Sequence, residues 1–561
     1  MKTFTKQIIL LCMMTSITYI GMAQCHSWVD LTNPDIGVPT AISSVWGLAT
    51  DQDNNVYSTS YFSGSISFGS ITLTNPTGGT SFYINKLNSD GVIQWAIQLP
   101  VTTLHWGPVI CQKNGMLYVA CEFADTLVIG LDTITTSSGH YALFVLKLDL
   151  NGNIIGYIPE FGSTDNDLLI ACGITVNSSN EIYITGKASG ILNFDTIVLN
   201  SLKGYYAYLA KFSPSLKPIW AIQANSNDTA PNSRGWGISV DNNENVIIGG
   251  YFTGDISWGS QYFNGNNSRG GTNPYIAKFD SSGNCLWIRG GAGIQKLRDF
   301  SNRGPVYNLV TDISGNIYYS AALDSVLYVD GDTLKYANGN FYYCKYTPNG
   351  NLVWLKQAGN FFSNNDGDEA PTSLVIDNSN NLWSSGWIDG PATFGGYSLK
   401  HEGLFIAKLD LDGNFKGAIG SIGIDDNYPS ALDTDGNLYV GGAGGGDTVS
   451  FDGDTKINIH DTLGVEFVLK FCSSEMGDQQ LLNNDEQVSV YPDPTTGKFT
   501  VTFPGTTKQI QISNSLGQVL QTKCFENEMK MVFELTTSGI YFIKIKTDTQ
   551  IMTEKLIVSE R

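Results

Sequence analysis

The sequence predicts an all-β chain in which one supersecondary unit is copied seven times and followed by a small, non-repeating β domain. Three observations carry this. Seven lysines, Lys86, Lys147, Lys211, Lys278, Lys345, Lys408 and Lys470, stand 61, 64, 67, 67, 63 and 62 residues apart. An aromatic residue precedes every one of them by three positions, and a tryptophan follows four of them by nine: Trp95, Trp220, Trp287 and Trp354. Glycine is abundant (61), aromatic residues make up 12% and charged residues only 15%, a mix that suits turn-rich β structure.

The chain opens with Lys2 and Lys6, an apolar stretch from Ile8 to Ile20, and Gly21-Met22-Ala23. This reads as a secretory signal over residues 1–23, cleaved after Ala23. Cys25 invites a lipoprotein reading, but Gln24 before it is the wrong size for that cleavage motif. No later apolar run approaches the ~18 residues needed to span a membrane, so no transmembrane segment is expected in the mature chain. The net charge of −20 argues against nucleic acid and anionic membrane as partners, since both call for a basic face.

Each copy within residues 24–472 has the same parts. The fourth reads Gly237-Ile238-Ser239-Val240-Asp241, then Asn245-Val246-Ile247-Ile248-Gly249-Gly250, a variable stretch with Trp258-Gly259, then Tyr275-Ile276-Ala277-Lys278-Phe279-Asp280 and Cys285-Leu286-Trp287-Ile288. These are four short β-type runs divided by Asn, Asp and Gly turns. The lysine strand is apolar on both pleat faces, which belongs in a sheet sandwiched between neighbours. Seven such sheets predict a seven-bladed β-propeller, with blades near 45–99, 105–160, 168–224, 234–291, 305–359, 370–423 and 427–472. A β-solenoid is the alternative, but its repeats are much shorter.

The seventh copy lacks its last strand, while Trp28 near the N-terminus is unused. Residues 26–30 are therefore expected to supply the outer strand of the last blade, leaving no open edge. Setting Lys470 equivalent to Lys86 and Trp28 equivalent to Trp95 puts Cys472 and Cys25 opposite each other across the missing hairpin. A Cys25–Cys472 disulfide is the expectation. Removing Cys12 with the signal leaves eight cysteines, an even number in a disulfide-permissive compartment.

The G-I-x-V-D and N-x-Y-x-x-G runs, the Phe-Gly or Trp-Gly of the variable hairpin, the Y-I-A-K-F-D strand and the turn before Trp resemble the bacterial β-propeller repeats called SBBP repeats, over roughly residues 40–472. The resemblance implies the propeller fold and no common reaction.

After a polar, acidic linker at residues 473–487, the period is lost. Residues 488–561 carry short alternating runs that predict a small Ig-like β-sandwich. The Tyr491-Pro492-Asp493-Pro494-Thr495-Thr496-Gly497 opening, the Asn514-Ser515-Leu516-Gly517-Gln518 centre, the strand from Gly539 and the final Lys555, Leu556, Ile557 and Val558 resemble the type A C-terminal sorting domain of type IX secretion cargo. Asp493 stands where that family most often has Asn. The resemblance implies the type IX secretion machinery as a partner, export across the outer membrane, removal of the domain, and a reading of Lys555–Val558 by the translocon.

Chemistry is sparse. The recurring lysines read as packed stems whose heads reach the matching first-strand position, at Asp51, Gln112, Asn177, Asp241, Asp312, Asp377 and Asp433. The Asp51, Asp410 and Asp433 loops have D-x-[DN] spacing, which leaves calcium as the one candidate cofactor, but they lack the distal Glu of a calcium loop and sit where strand-joining turns belong. The five histidines fall at unrelated copy positions, and no nucleophile elbow, zinc motif or phosphate loop is present. No catalytic residue is assigned. The expected role is binding of an extracellular glycan or protein. A polysaccharide hydrolase, marked by carboxylates clustered around an axial pocket, and a structural envelope component are the alternatives.

Overall fold

In the computed structural model, the described residues are 27–30, 44–472 and 489–559, apart from short connecting stretches inside the last two ranges. Every regular element among them is a β-strand, and none forms a helix long and apolar enough to cross a membrane. The proposed signal (1–23), Cys25 and the linker (473–487) lie outside the described residues.

Seven antiparallel units of four strands follow one another. In the fourth, Ser233–Val240 pairs with Val246–Thr253, which pairs with Thr272–Phe279, which pairs with Cys285–Ile294. Its third strand is buried at every position from Thr272 to Phe279, because sheets cover both of its faces. The first strand of each unit packs on the first strand of the next. This series runs from Gly47–Thr50 of the first unit to Ile424–Leu432 of the seventh, which packs back on Gly47–Thr50. The core lies between adjacent sheets: one cluster joins Tyr183 and Leu209 of the third unit to Val246 and Phe279 of the fourth. The first two units also share ladder bonds (Val101 faces Leu127), which merges them into one nine-stranded sheet.

The fourth strand of the seventh unit comes from the other end of the chain. Ser27–Asp30 pairs with Val465–Phe471. Here Ser27 faces Lys470 and Trp28 faces Leu469, whereas Trp95 faces Lys86. The equivalence of Trp28 with Trp95 is thus off by one residue.

The lysines join one unit to the next. Lys86 Nζ donates to Leu150 O (3.3 Å), Lys147 to Pro214 O (3.0 Å), Lys211 to Ser281 O (3.1 Å), Lys278 to Pro348 O (3.1 Å) and Lys345 to Leu411 O (3.1 Å). Each acceptor lies in the turn before the fourth strand of the following unit. Lys470 makes the same bond to Ser89 O (3.2 Å), from the seventh unit to the first. Where tryptophan follows the lysine, its indole N–H donates to the same carbonyl, as Trp95 does to Leu150 (3.2 Å) and Trp354 to Leu411 (3.1 Å). First-strand carboxylates add to this at Asp241 (2.8 Å from Lys278) and Asp51 (3.8 Å from Lys86), while Lys211 takes Glu181 (2.7 Å) rather than Asn177. The lysine head is desolvated against aromatic rings, such as Tyr57 and Tyr318 at 5.3 and 5.2 Å, and needs these oxygens.

Residues 489–559 form two antiparallel sheets. One contains Ser489–Tyr491, Lys498–Thr502 and Lys530–Glu534; the other contains Val519–Cys524, Thr507–Asn514, Gly539–Thr547 and Ile551–Val558. Phe499, Val501 and Phe533 of the first share a core with Ile510, Ile543 and Leu556 of the second.

Candidate functional site

First strands from all seven units line one cavity of about 200 Å3. Trp46, Cys172, Trp236, Asn308, Ser373 and Ser430 are among its walls. Bulges put several of them there. The ladder skips a residue between Ala171 and Gly173, Gly235 and Gly237, and Pro371 and Ser373, so Cys172, Trp236 and Thr372 stand out of register. The partner strand permits this by having glycine opposite. A Cβ on Gly186 or Gly250 would lie 1.8 Å from the carbonyl oxygen of Ile170 or Arg234. On the far wall, Ser373 and Ser430 Oγ are 2.6 Å apart. No Asp or Glu is among the described lining residues.

A charged cluster lies beside this cavity. Arg234, 1% exposed, donates from Nε to Cys172 Sγ (3.1 Å) and lays its guanidinium over Trp236 at 3.8 Å. Lys187 sits 4.1 Å from the ring of Tyr205. Burial and the nearby Arg234 charge pull the Lys187 ammonium down to about 8. Burial raises the Cys172 thiol, and Arg234 opposes that rise. Glu122, fully buried, belongs to the same electrostatic neighbourhood. Nothing in the repeat pattern marks these residues, since each occurs in one copy only. The available signal was a charge inside an apolar strand, as in Val119-Ala120-Cys121-Glu122-Phe123.

A second buried acid lies where the seventh unit meets the first. Glu466 is 0% exposed, within hydrogen-bond reach of Ser60 Oγ and Tyr83 OH, and burial pushes its carboxyl up to about 8 against the bonds that favour ionisation. Ser60 Oγ also lies 2.8 Å from Ser44 O. One serine proton cannot serve two acceptors, so a protonated Glu466 that donates to Ser60 satisfies both contacts.

The Asp-rich loops bond themselves. Asp51 Oδ1 accepts the N–H of Asp53 and Asn55 (both 2.9 Å), and Asp410 and Asp433 repeat the pattern. Their carboxylates hold turns. Among the described residues, no group of three or more His, Cys, Asp or Glu is arranged to hold a metal ion. Cys472 is disulfide-bonded, while Cys111, Cys121, Cys172, Cys285, Cys344 and Cys524 are free thiols. Cys25, the expected partner of Cys472, lies outside the described residues.

In the C-terminal domain, the opening motif meets the last strand. Thr495 N–H donates to Ile557 O (2.9 Å), and Ser559 N–H donates to Thr495 O (2.8 Å). Gly497, with φ +125°, accepts the N–H of Leu535 (2.8 Å) and donates to Thr495 Oγ1 (3.2 Å). Gly517 closes the Asn514–Gln518 turn at φ +78°. Gly539 faces Val558, and Lys555, Leu556 and Ile557 face Phe542, Tyr541 and Ile540. Leu556 and Val558 are buried, while Ile557 is exposed. Tyr491 pairs with Thr500, and Pro492 and Pro494 lie outside the described residues.

Comparison with known proteins agrees with this part of the chain. Residues 489–559 match the secretion system C-terminal sorting domain family. No curated protein matches the chain. Similar solved structures include PorZ, a surface component of the type-IX secretion system of Porphyromonas gingivalis (11% identity, 92% of this chain and 70% of that one, TM-score 0.30). Another is the GH43 protein BlXynB of Bacillus licheniformis (9% identity, 93% and 98%, TM-score 0.25). Likeness at these scores carries no argument about fold or activity. The described elements make this an all-β protein, and its C-terminal sorting domain indicates export by the type IX secretion system to the cell surface or the extracellular space.

Proposed function

We propose that the seven units form a seven-bladed β-propeller of the SBBP-repeat kind, displayed or released as a binding module after export, with its ligand taken at the mouth of the axial cavity. The staple from Lys470 to Ser89 and the packing of the seventh unit on the first support a closed ring. One observation favours binding over hydrolysis. The described cavity walls are aromatic, apolar, hydroxyl and amide groups, whereas glycoside hydrolysis works through a pair of carboxylates. Aromatic and hydroxyl groups on a rigid strand scaffold are what a saccharide-binding surface needs. The test is to screen the purified chain on a glycan array and for hydrolysis of the same glycans. Saturable binding without turnover is expected; reducing-sugar release abolished by a Trp236 substitution would overturn the reading.

A further inference from the structure

We infer that the groove between the second and third units binds an aromatic carboxylate, with its ring on the apolar wall and its acid group on Lys147 and Lys217. This site is separate from the axial cavity and does not depend on the binding reading above.

The groove exists because the joint between these two units departs from the others. At four joints a tryptophan lies over the turn glycine of the next unit and donates its indole N–H to the carbonyl that the lysine also reaches. Here Gly156 faces Lys147 in place of tryptophan, and among the described residues Pro214 O accepts from Lys147 alone (3.0 Å). Leu216, which replaces the turn glycine, reaches Gly156, and a groove of about 620 Å3 remains. That volume lies within the ~300–1,000 Å3 of pockets that hold small ligands.

The lysine at this joint also lacks the acid that serves its counterparts. Lys86 and Lys278 have a first-strand aspartate at 3.8 and 2.8 Å, and Lys211 has Glu181 at 2.7 Å. The second unit has Gln112 at the first-strand position and Met116 where the third has Glu181. Among the described residues Lys147 therefore makes no ion pair; its ammonium holds Pro214 O and lies 5.6 Å from the Tyr118 ring. An ammonium carries three donors, so Lys147 keeps capacity for an anion.

The walls describe both halves of the ligand. Lys147 is half-buried and Lys217 is exposed, and both line the groove, so a ligand reaches them from solvent. Asp195, itself exposed, is the one acid among the described lining residues, and no ion pair ties it to either lysine. Ile155, 54% exposed, Leu216 and the Tyr157 ring supply apolar surface. The Tyr157 hydroxyl is already committed to Asp132 (2.5 Å). A flat ring packs on such a surface, while lysine holds a carboxylate through charge-assisted hydrogen bonds. An indole adds an N–H for Pro214 O, the bond that the four tryptophans make elsewhere.

The test is calorimetric titration of the full chain with indole-3-propionate, beside two probes that each lack one half, indole-3-propionamide and pentanoate. Saturable binding of the indole acid, about ten-fold tighter than either control, is expected. Lys217→Gln, an exposed change, should weaken it about three-fold. Lys147→Gln should weaken it about ten-fold, with the melting temperature reporting any loosening from the lost Pro214 bond. Gly156→Trp combined with Leu216→Gly rebuilds the joint found between other units and relieves the left-handed backbone at Leu216 (φ +63°). This double variant should lose binding while its melting temperature holds or rises. A free acid and the C-terminal residue of a peptide share this chemistry; tighter binding of Gly-Gly-Trp than of indole-3-propionate identifies the peptide source, and the reverse identifies the free acid. Absence of binding, a control that binds as tightly as the indole acid, or undiminished binding by the rebuilt joint each overturns the inference.

Discussion

Individual side chains in this molecule are decided by what surrounds them in space. Glu466 shows this most directly. Its carboxyl is raised from 4.5 to about 8 by burial, so the folded chain keeps a proton that the unfolded chain releases. The associated stability is complete below about pH 4.5 and is lost as pH rises through about 8. Glu466→Gln should remove that dependence: chemical denaturation from pH 5 to 8 should show wild type losing up to roughly 1.4 kcal/mol per pH unit relative to the variant. Parallel curves for the two proteins would mean that Glu466 is ionised when folded. From the sequence, Glu466 is one acid in an apolar strand; the burial that decides its protonation comes from packing against residues such as Ser60 and Tyr83, which are 406 and 383 positions away.

At the level of the element, the repeated strand pair and its turn act as a joint. A tryptophan from one unit lies over the turn glycine of the next: Trp95 on Gly152, Trp220 on Gly283, Trp287 on Gly350 and Trp354 on Gly413. The second unit breaks the rule in a compensating way. Gly156 replaces tryptophan, and Leu216 replaces the turn glycine and lies 3.3 Å from where a Cβ on Gly156 would be. The exchange leaves a groove of about 620 Å3 between these units and holds Leu216 at φ +63°. Gly413→Ala tests the joint. At φ +80° the new Cβ is strained and stands 3.0 Å from the Trp354 ring, while Gly115→Ala at φ +74° meets nothing within 4 Å. Both should destabilise by about 1 kcal/mol through backbone strain, and Gly413→Ala by about 1 kcal/mol more through the indole. Equal losses in urea melts would show that the tryptophan contributes nothing at this position. The lysine and tryptophan spacing was readable along the chain. Their shared carbonyl was not, because it lies 55 to 70 residues downstream in another unit.

For the molecule as a whole, the question is how a chain of seven units holds its ends together. Ser27–Asp30 pairs with Val465–Phe471, and Lys470 reaches Ser89. We propose that the bonded partner of Cys472 is Cys25, which would tie the same strands covalently. Under the chain-entropy account, closing so long a loop contributes about 4–5 kcal/mol, less any strain. Reduction, or the Cys25→Ser and Cys472→Ser variants, should lower the melting temperature and increase proteolysis at the N-terminal strand. An unchanged melting temperature with intact thiol titration would exclude the tie.

The sequence by itself determined the all-β class, the period, the place where the repeats stop and the export tail. Each of these is written in local spacing and turn chemistry, which a linear reading detects. The sorting motif was legible for the same reason, although only the fold shows why its opening matters: Thr495 is hydrogen-bonded to the terminal strand. Tertiary structure alone decided which lysine serves which carbonyl, that Glu466 is held in its neutral form, and that Lys187 and Arg234 gather around Cys172, a wall of the cavity. Those groups are brought together across neighbouring units and come from positions that do not repeat. Their encounter follows from the packing of one unit's sheet on the next, which no single copy contains.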